Sequence, residues 1–255
     1  MVGAVALLAG GVPERAVALG VSMTSLQFAI GALNDVVDAQ ADRGRIPPKP
    51  IPAGLVAPRT ALLVVAAGTG VGIGIAAALG PGVVLLALTV LVIGAAYDLL
   101  AKGTPWSWLP FAIGIPLLPV YGWYGATGTL PAAFAALVPM AVLGGAALAI
   151  ANARADLGTD LASGTRSVAS GLGDGRAWVL HAVLWAVTAA IAIGWLLVAG
   201  VSPLRTLPVG LVTIVIGIAV VRSRGVSGRE RRWAWESEAL AGAVAAVVWL
   251  WAALG

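Results

Sequence analysis

The sequence predicts an all-α, polytopic membrane protein whose 255 residues form a single transmembrane domain. Two observations lead to this prediction. First, 60% of the residues are hydrophobic and 10% are charged, with a mean hydropathy of +0.99, whereas soluble domains carry roughly 25% charged residues. Second, the apolar residues fall into blocks of about 20 residues, which is the length that an α-helix needs to cross a bilayer.

Eight of these blocks are long enough to span the membrane as helices, and a shorter apolar stretch precedes them. The short stretch, residues 1–11, is expected to be the end of a first helix whose beginning lies outside the sequence. The spacing of Gly68 and Gly72 predicts a close contact between two helices. The eight predicted spans are residues 16–33, 61–79, 83–100, 109–126, 132–151, 178–199, 207–221 and 239–254.

The charged residues gather in four loops that follow every second turn of the chain. Loops 35–59, 98–102, 154–176 and 222–238 hold 13 of the 15 Lys and Arg residues. Because loops rich in Lys and Arg stay in the cytoplasm, these four loops are predicted to be cytoplasmic. The same rule explains the pI near 10.1 without a nucleic-acid partner. The chain has no cysteine, which excludes disulfides and thiolate metal sites.

A polar segment directly after the first full span carries a carboxamide and three carboxylates, those of Asn34, Asp35, Asp38 and Asp42. On a helix the three carboxylates stand at i, i+3 and i+7, within about 60° of one another around the axis. Like charges on one helix face repel, so this cluster does not serve stability. Gathered carboxylate oxygens instead favour a hard cation.

A second polar segment, after the fifth full span, repeats this spacing. Asn152, Asp156 and Asp160 stand at i, i+4 and i+8, like the Asn and the second and third Asp of the first segment, 118 positions earlier. Each segment is followed by a Gly and an Arg. This internal repeat suggests two related helical halves, residues 1–126 and 127–255.

Together the two segments predict a magnesium site for a phosphorylated ligand. Both follow a span and both lie on the same predicted side of the membrane, so the helix ends can converge. Mg²⁺ is usually bound through one or two carboxylates, water and substrate phosphates. A single Asp in such a loop is ordinarily only solvated, but that interpretation does not explain two matched sets. The basic residues that could neutralise further phosphate charge on this side are Arg45, Lys49, Lys102 and Arg166.

These residues resemble the motifs of the UbiA-type intramembrane prenyltransferases. Residues 34–42 match the first Asp-rich motif of that family, NDxxDxxxD, at every defined position, and residues 49–54 (KPIPAG) are similar to its RPxxSG segment. Tyr97, with a Lys five residues later, is similar to the Tyr…Lys loop of the family. Residues 156–160 and 164–167 (GTRS) match its second Asp motif and its G-x-R-[ST] segment.

The resemblance implies nine transmembrane helices around a central cavity and transfer of a prenyl group from a polyprenyl diphosphate to an aromatic or other lipophilic acceptor. Two Mg²⁺ would hold the diphosphate, and Tyr97 would stabilise the allylic cation. Ala149 replaces an Asp common in members that act on hydroxybenzoate, which leaves the acceptor open. The implied catalytic metal ligands are Asp35, Asp38, Asp42, Asp156 and Asp160. The implied diphosphate-binding residues are Asn34, Arg45, Lys49, Lys102, Asn152 and Arg166.

Two other classes of membrane protein agree less well with the sequence. A transporter or channel usually places ionisable residues at membrane depth, and no charged residue is predicted in mid-span. A CDP-alcohol phosphotransferase motif would have Gly at the position of Ala39. His181, the only histidine, is predicted to be structural. Glu236 and Glu238 are predicted to offset the basic residues of the segment 222–232.

Overall fold

A computed structural model describes residues 1–44 and 48–255, and every regular element in those ranges is helical. A π-helical turn, Tyr97–Ala101, extends the fourth helix. The helices are α1 (Val2–Leu8), α2 (Pro13–Val37), α3 (Pro58–Leu79), α4 (Pro81–Ala96), α5 (Leu109–Thr127), α6 (Phe134–Ala155), α7 (Leu157–Ser163), α8 (Val168–Leu172), α9 (Asp174–Val198), α10 (Pro203–Arg222) and α11 (Gly228–Leu254).

Seven helices in the described residues are long and apolar enough to cross a membrane, which confirms the prediction of a polytopic helical protein. They are α2, α3, α4 with its π-helical turn, α6, α9, α10 and α11. The remaining predicted span corresponds to α5, a helix of 19 residues. Prolines and glycines lower the hydropathy of α5, so the predicted count of eight spans is not confirmed.

The short first helix packs inside the bundle. Val5 and Ala6 of α1 are fully buried, and α1 lies against α2 and α5. The contact with α5 depends on Gly122, where an added Cβ would lie 2.6 Å from the carbonyl oxygen of Val2. With seven residues, α1 is too short to cross a bilayer, as the sequence predicts for this segment.

Helices α2 and α3 form the closest pair in the first half of the chain, and glycines on one face of α3 permit it. A Cβ at Gly68 would lie 2.6 Å from the carbonyl oxygen of Ser25, and one at Gly72 would lie 2.5 Å from a methyl group of Leu26. Gly70, on the other face, has open space around it. The predicted close helix contact is therefore confirmed, and it involves one of the two overlapping glycine pairs.

Polar contacts connect helices at the end of the bundle opposite the charged loops. Arg15 donates to the carbonyl oxygens of Gly125 and Leu79, at distances of 2.6 and 3.0 Å. These carbonyls belong to the last turns of α5 and α3, where helix C-termini leave acceptors unpaired. Arg205 likewise donates to the carbonyl oxygen of Gly255 after α11. The two cations outside the four charged loops thus close helix ends.

Three helices bring polar residues to the other end of the bundle. Helix α2 ends at Val37 and α6 ends at Ala155, so each of the two Asp motifs begins in the last turn of a long helix. Because a helix C-terminus carries partial negative charge, both ends favour cations. Helix α11 begins at Gly228, well before the predicted start of its span at residue 239. The early start of α11 adds residues to the site that the sequence did not indicate.

Candidate active site

A cavity of about 820 Å³ opens at the end of the bundle where α2 and α6 terminate. Its mouth is polar, and its deeper wall is formed by apolar residues of α4 and α5, including Val90, Ile93, Phe111, Ile115 and Leu118. Sequence-predicted residues from both motifs and from the intervening loops line this cavity. They are Asn34, Asp38, Asp42, Lys49, Tyr97, Lys102, Asn152, Asp156 and Asp160.

The first motif is held by contacts with the π-helical turn after α4. Asn34 donates a hydrogen bond of 2.7 Å from Nδ2 to Oδ1 of Asp98, a buried residue of that turn. Lys102, which ends the turn, forms a direct ion pair with Asp38. The π-helical turn thus positions both an acceptor for the motif amide and a cation for its second carboxylate.

The first carboxylate of this motif points elsewhere. Asp35 does not line the cavity, and its Oδ1 accepts a hydrogen bond of 2.7 Å from Nζ of Lys49. Since α2 ends at Val37, Asp38 and Asp42 lie on the turns that follow the helix. The three carboxylates therefore do not share one face of a continuous helix, and only the second and third reach the cavity.

The second motif contacts a helix that the sequence did not connect with the site. Arg232 of α11 donates a hydrogen bond of 2.6 Å from Nη2 to Oδ1 of Asp156, and its side chain lines the cavity. Trp235, one turn further along α11, also lines the cavity. The sequence treated Arg232 as part of a basic run that sets topology. Its position before Trp235 at helical spacing was the only available signal.

Tyr97 lies at the junction of the polar mouth and the apolar wall. Its ring meets that of Phe111 edge-on, with centroids 5.4 Å apart and planes at 80°. Nζ of Lys102 lies 5.9 Å from the centre of the Tyr97 ring. The aromatic face is therefore presented beside a cation and close to the carboxylates of both motifs, as its predicted role requires.

Two predicted diphosphate ligands are not placed in the cavity. Arg166 is exposed and is not among the residues that line the cavity. Arg45 lies outside the described residues. Three cations, Lys49, Lys102 and Arg232, line the mouth of the cavity in the part of the chain that the structure describes.

Behind the second motif, a buried ionic cluster joins α6, α9, α10 and α11. Arg154, 1% exposed, donates to Asp174 Oδ1 at 3.0 Å and to both the hydroxyl and the carbonyl of Ser223. Arg231 donates to both carboxylate oxygens of Asp174 and to the carbonyl oxygen of Arg154. Arg154 thus supports the end of α6 from outside the cavity.

A comparison with models of protein families matches residues 1–237 to the UbiA prenyltransferase family. The chain belongs to the UbiA prenyltransferase family. This confirms the resemblance that the two Asp motifs indicate and identifies the protein as a prenyltransferase. It also agrees with the cavity geometry, in which the two motifs of the UbiA family face one another.

Solved structures share the fold of this UbiA chain. A UbiA homologue from Aeropyrum pernix K1 is 22% identical with a TM-score of 0.76, covering 95% of this chain and 93% of the other. A digeranylgeranylglyceryl phosphate synthase is 12% identical with a TM-score of 0.73, covering 99% and 92%. A UbiA homologue from Archaeoglobus fulgidus, bound to GPP and Mg²⁺, is 20% identical with a TM-score of 0.68, covering 97% and 94%. A comparison with curated proteins found no match.

The donor atoms of the UbiA motifs in this chain suit a hard cation. The side chains that line the mouth supply carboxylate and amide oxygens, and Oδ2 of Asp98 is buried without a hydrogen-bond partner among the described residues. Within residues 1–44 and 48–255, no three His, Asp or Glu side chains converge tightly enough to hold one metal ion. In this arrangement Asp35, Asp38 and Asp156 are paired with Lys or Arg side chains. A donor set of this kind fits Mg²⁺, which completes its coordination with water and phosphate oxygens.

The UbiA bundle also contains a second, almost wholly apolar cavity of about 510 Å³ between α5, α6, α9, α10 and α11. Ile115 and Leu118 of α5 line both cavities, so the two spaces are neighbours. Beside the second cavity, Glu238 of α11 is fully buried against His181 and Trp185 of α9. The expectation that Glu238 offsets the basic run is therefore wrong, because α11 begins early enough to bring this carboxylate into the bundle. The expectation of no charged residue in mid-span is wrong for the same reason.

Proposed function

We propose that this chain transfers a prenyl group from a polyprenyl diphosphate to an aromatic or other lipophilic acceptor within the membrane, and that the reaction depends on Mg²⁺. The observation that carries the proposal is the meeting of both Asp motifs at the mouth of one cavity whose deeper wall is apolar. Such a cavity fits a ligand with a highly charged end and a hydrocarbon tail. A related fold in Archaeoglobus fulgidus is bound to GPP and Mg²⁺, which supports this assignment.

At the polar end, the motif carboxylates would hold the metal. Asp38, Asp42, Asp156 and Asp160 line the cavity, and Asp35 would join them on release from Lys49. Bound Mg²⁺ would stabilise the charge that develops on the departing diphosphate. The cations that now pair with carboxylates would turn to the phosphate oxygens, with charge-assisted hydrogen bonds as the driving force. They are Lys49, Lys102 and Arg232, joined by Arg45 and Arg166 where those residues reach the ligand.

At the apolar end, the walls of the cavity would exclude water. Departure of diphosphate leaves an allylic cation, which water would capture if it entered. Residues such as Val90, Ile93 and Phe111 surround the space next to the mouth with hydrocarbon. Tyr97 presents its ring at this boundary, where an aromatic face attracts a cation. Asn34 and Asn152 would orient the ligand at the same level.

The orientation in the membrane and the internal repeat belong to the same proposal. The four charged loops lie at the end of the bundle that holds the site, and their Lys and Arg residues would keep this end in the cytoplasm. The donor would then enter from the cytoplasmic leaflet. The halves 1–126 and 127–255 would each contribute one Asp motif, so that the site forms between two related units.

The proposal is tested by prenyl transfer in liposomes that contain the purified protein. Labelled geranylgeranyl diphosphate or a longer homologue is supplied with Mg²⁺ and a panel of phenols, quinols and long-chain alcohols, and extracted lipids are analysed for labelled product. Asp38→Ala and Asp160→Ala are expected to abolish product, whereas Glu236→Ala, which changes an exposed carboxylate of α11, is expected to preserve it. Product formation by Asp38→Ala, or turnover that persists in EDTA, would refute the proposed site.

A further inference from the structure

A polar cluster lies inside the apolar part of the bundle, where α9 and α11 meet. Nε2 of His181 lies 2.6 Å from Oε2 of Glu238, and Nε1 of Trp185 donates to the same oxygen at 3.0 Å. The side chains of His181 and Glu238 are both 0% exposed. Ionisable residues within membrane spans are costly and usually have a function.

The cluster contains polar atoms that its own contacts leave unsatisfied. Within residues 1–44 and 48–255, Oε1 of Glu238 and Nδ1 of His181 are buried without a hydrogen-bond partner. Nε1 of Trp235 is buried without a partner in the same ranges. Joining α9 to α11 requires only Oε2, which already accepts from Trp185. A structural role therefore leaves Oε1 unexplained, and an unpaired buried carboxylate oxygen is destabilising.

The cluster lies between the site and the apolar cavity. Arg232, Trp235 and Glu238 stand at i, i+3 and i+6 along α11, so Glu238 lies about 9 Å further along the helix axis than the Arg at the diphosphate end. Arg232 and Trp235 line the site cavity, and Trp185 lines the apolar cavity. A carbon released from diphosphate near Arg232 and a nucleophile in contact with that carbon fit within this distance.

We infer that Oε1 of Glu238 accepts a hydrogen bond from the hydroxyl group of the prenyl acceptor, so that the acceptor is an alcohol or a phenol on a lipophilic body. This inference rests on the proposed function, because it assigns the second substrate of the same site. Oε1 can only accept when the carboxylate is ionised, which selects a donor such as O–H. A hydroxyl brings no charge into the bundle, whereas an ammonium would require costly desolvation. Rotation of the Trp235 indole, which covers the passage from the site cavity, would expose Oε1 to the ligand.

Hydroxyl recognition is tested by comparing two probes that differ only at the proposed contact, 4-nonylphenol and its methyl ether, 4-nonylanisole. Binding to the purified protein in nanodiscs is measured without donor or Mg²⁺, so the result does not depend on turnover. The wild-type protein is expected to bind the phenol at least about tenfold more tightly than the ether, as loss of one hydrogen bond to a charged group would produce. Failure of prenyl transfer in the liposome assay together with retained phenol preference would separate the proposed function from this inference.

Glu238→Gln is the decisive variant. The Trp185 N–H requires an acceptor, so the amide oxygen of Gln would face Trp185 and its NH₂ group would replace Oε1. We expect the phenol preference to fall to about twofold or less, with Glu236→Gln as a matched control that keeps the wild-type preference. Equal binding of phenol and ether by the wild-type protein, or an undiminished preference in Glu238→Gln, would overturn the inference. If Glu238→Gln does not fold, photolabelling of the wild-type protein with a diazirine-bearing alkylphenol decides: labelling of the α11 peptide around Trp235 supports the site, and labelling confined to other helices overturns it.

Discussion

Arg232 of α11 donates a hydrogen bond of 2.6 Å from Nη2 to Oδ1 of Asp156, the first carboxylate of the second Asp motif. The contact places the guanidinium at the mouth of the site cavity, opposite Lys102 and Lys49. The last long helix of the bundle therefore contributes a cation to the region where both motifs meet. Because the guanidinium carries five donors and this contact uses one of them, it can also bind a phosphate oxygen.

Replacement of this cation is expected to weaken binding of the donor diphosphate. Arg232→Gln should raise the KM for the prenyl diphosphate by about tenfold, since one hydrogen bond to a charged group is lost. Initial rates measured over a series of donor concentrations test this expectation. Arg229→Gln changes an exposed Arg of the same helix and should leave KM unchanged. Equal KM values for the two variants would show that the Arg232 contact serves only the protein itself.

The ring of Tyr97, rather than its hydroxyl, is expected to matter for the chemical step. Tyr97→Phe keeps an aromatic face beside Phe111 and should retain most of the wild-type kcat. Tyr97→Leu removes that face and should lower kcat by about tenfold, the size expected for loss of one cation–π contact. Single-turnover rates at saturating donor separate this effect from binding. A kcat for Tyr97→Phe as low as that for Tyr97→Leu would assign the role to the hydroxyl instead.

The α2–α3 contact provides a test of the fold that is independent of activity. Gly68→Ala would place a Cβ 2.6 Å from the carbonyl oxygen of Ser25, and backbone cannot yield cheaply, so the variant should be destabilised by about 1–3 kcal/mol. Gly70→Ala adds the same methyl group where there is open space and should leave Tm unchanged or slightly raised. Thermal unfolding in detergent compares the two. Equal Tm values would contradict the described packing of these helices.

The buried ionic cluster behind the second motif should contribute strongly to stability. Asp174→Ala would leave Arg154 and Arg231 facing one another without a counter-charge, and breaking a buried pair in this way costs about 3 kcal/mol. Resistance to unfolding by SDS is expected to fall accordingly. Glu230→Ala removes an exposed carboxylate near the start of α11 and should have no such effect. A wild-type unfolding curve for Asp174→Ala would show that the cluster is not needed to hold these helix ends.

The sequence predicts those parts of the protein that depend on local order and on spacing. Asn34 and Asp156 could be assigned to one site because each begins a motif of the same period after an apolar span. Arg232 and Glu238 could not, because the first turns of α11 are polar and hide the helix from an analysis of hydropathy. The contact of Glu238 with His181 depends on how two distant spans pack, and no spacing within the sequence contains that information.

The metal ligands show the same limit. Asp35 belongs to the motif by its position, yet in the structure it pairs with Lys49 away from the cavity, since α2 ends two residues later. Where a helix stops is determined by the balance between its last hydrogen bonds and the contacts of the following turn. A motif defines which residue types are present, whereas the helix end decides the direction in which each one points.

Ile115 and Leu118 separate the two cavities of this protein by the thickness of two side chains on one helix. Neither residue touches an Asp motif, and both are replaceable by smaller or larger aliphatic residues without a change in charge. Substitution at these two positions would alter the length of hydrocarbon that the bundle can enclose while the diphosphate end stays intact. Members of such a family could therefore diverge in the size of their substrates through single mutations in α5, long before the reaction itself changed.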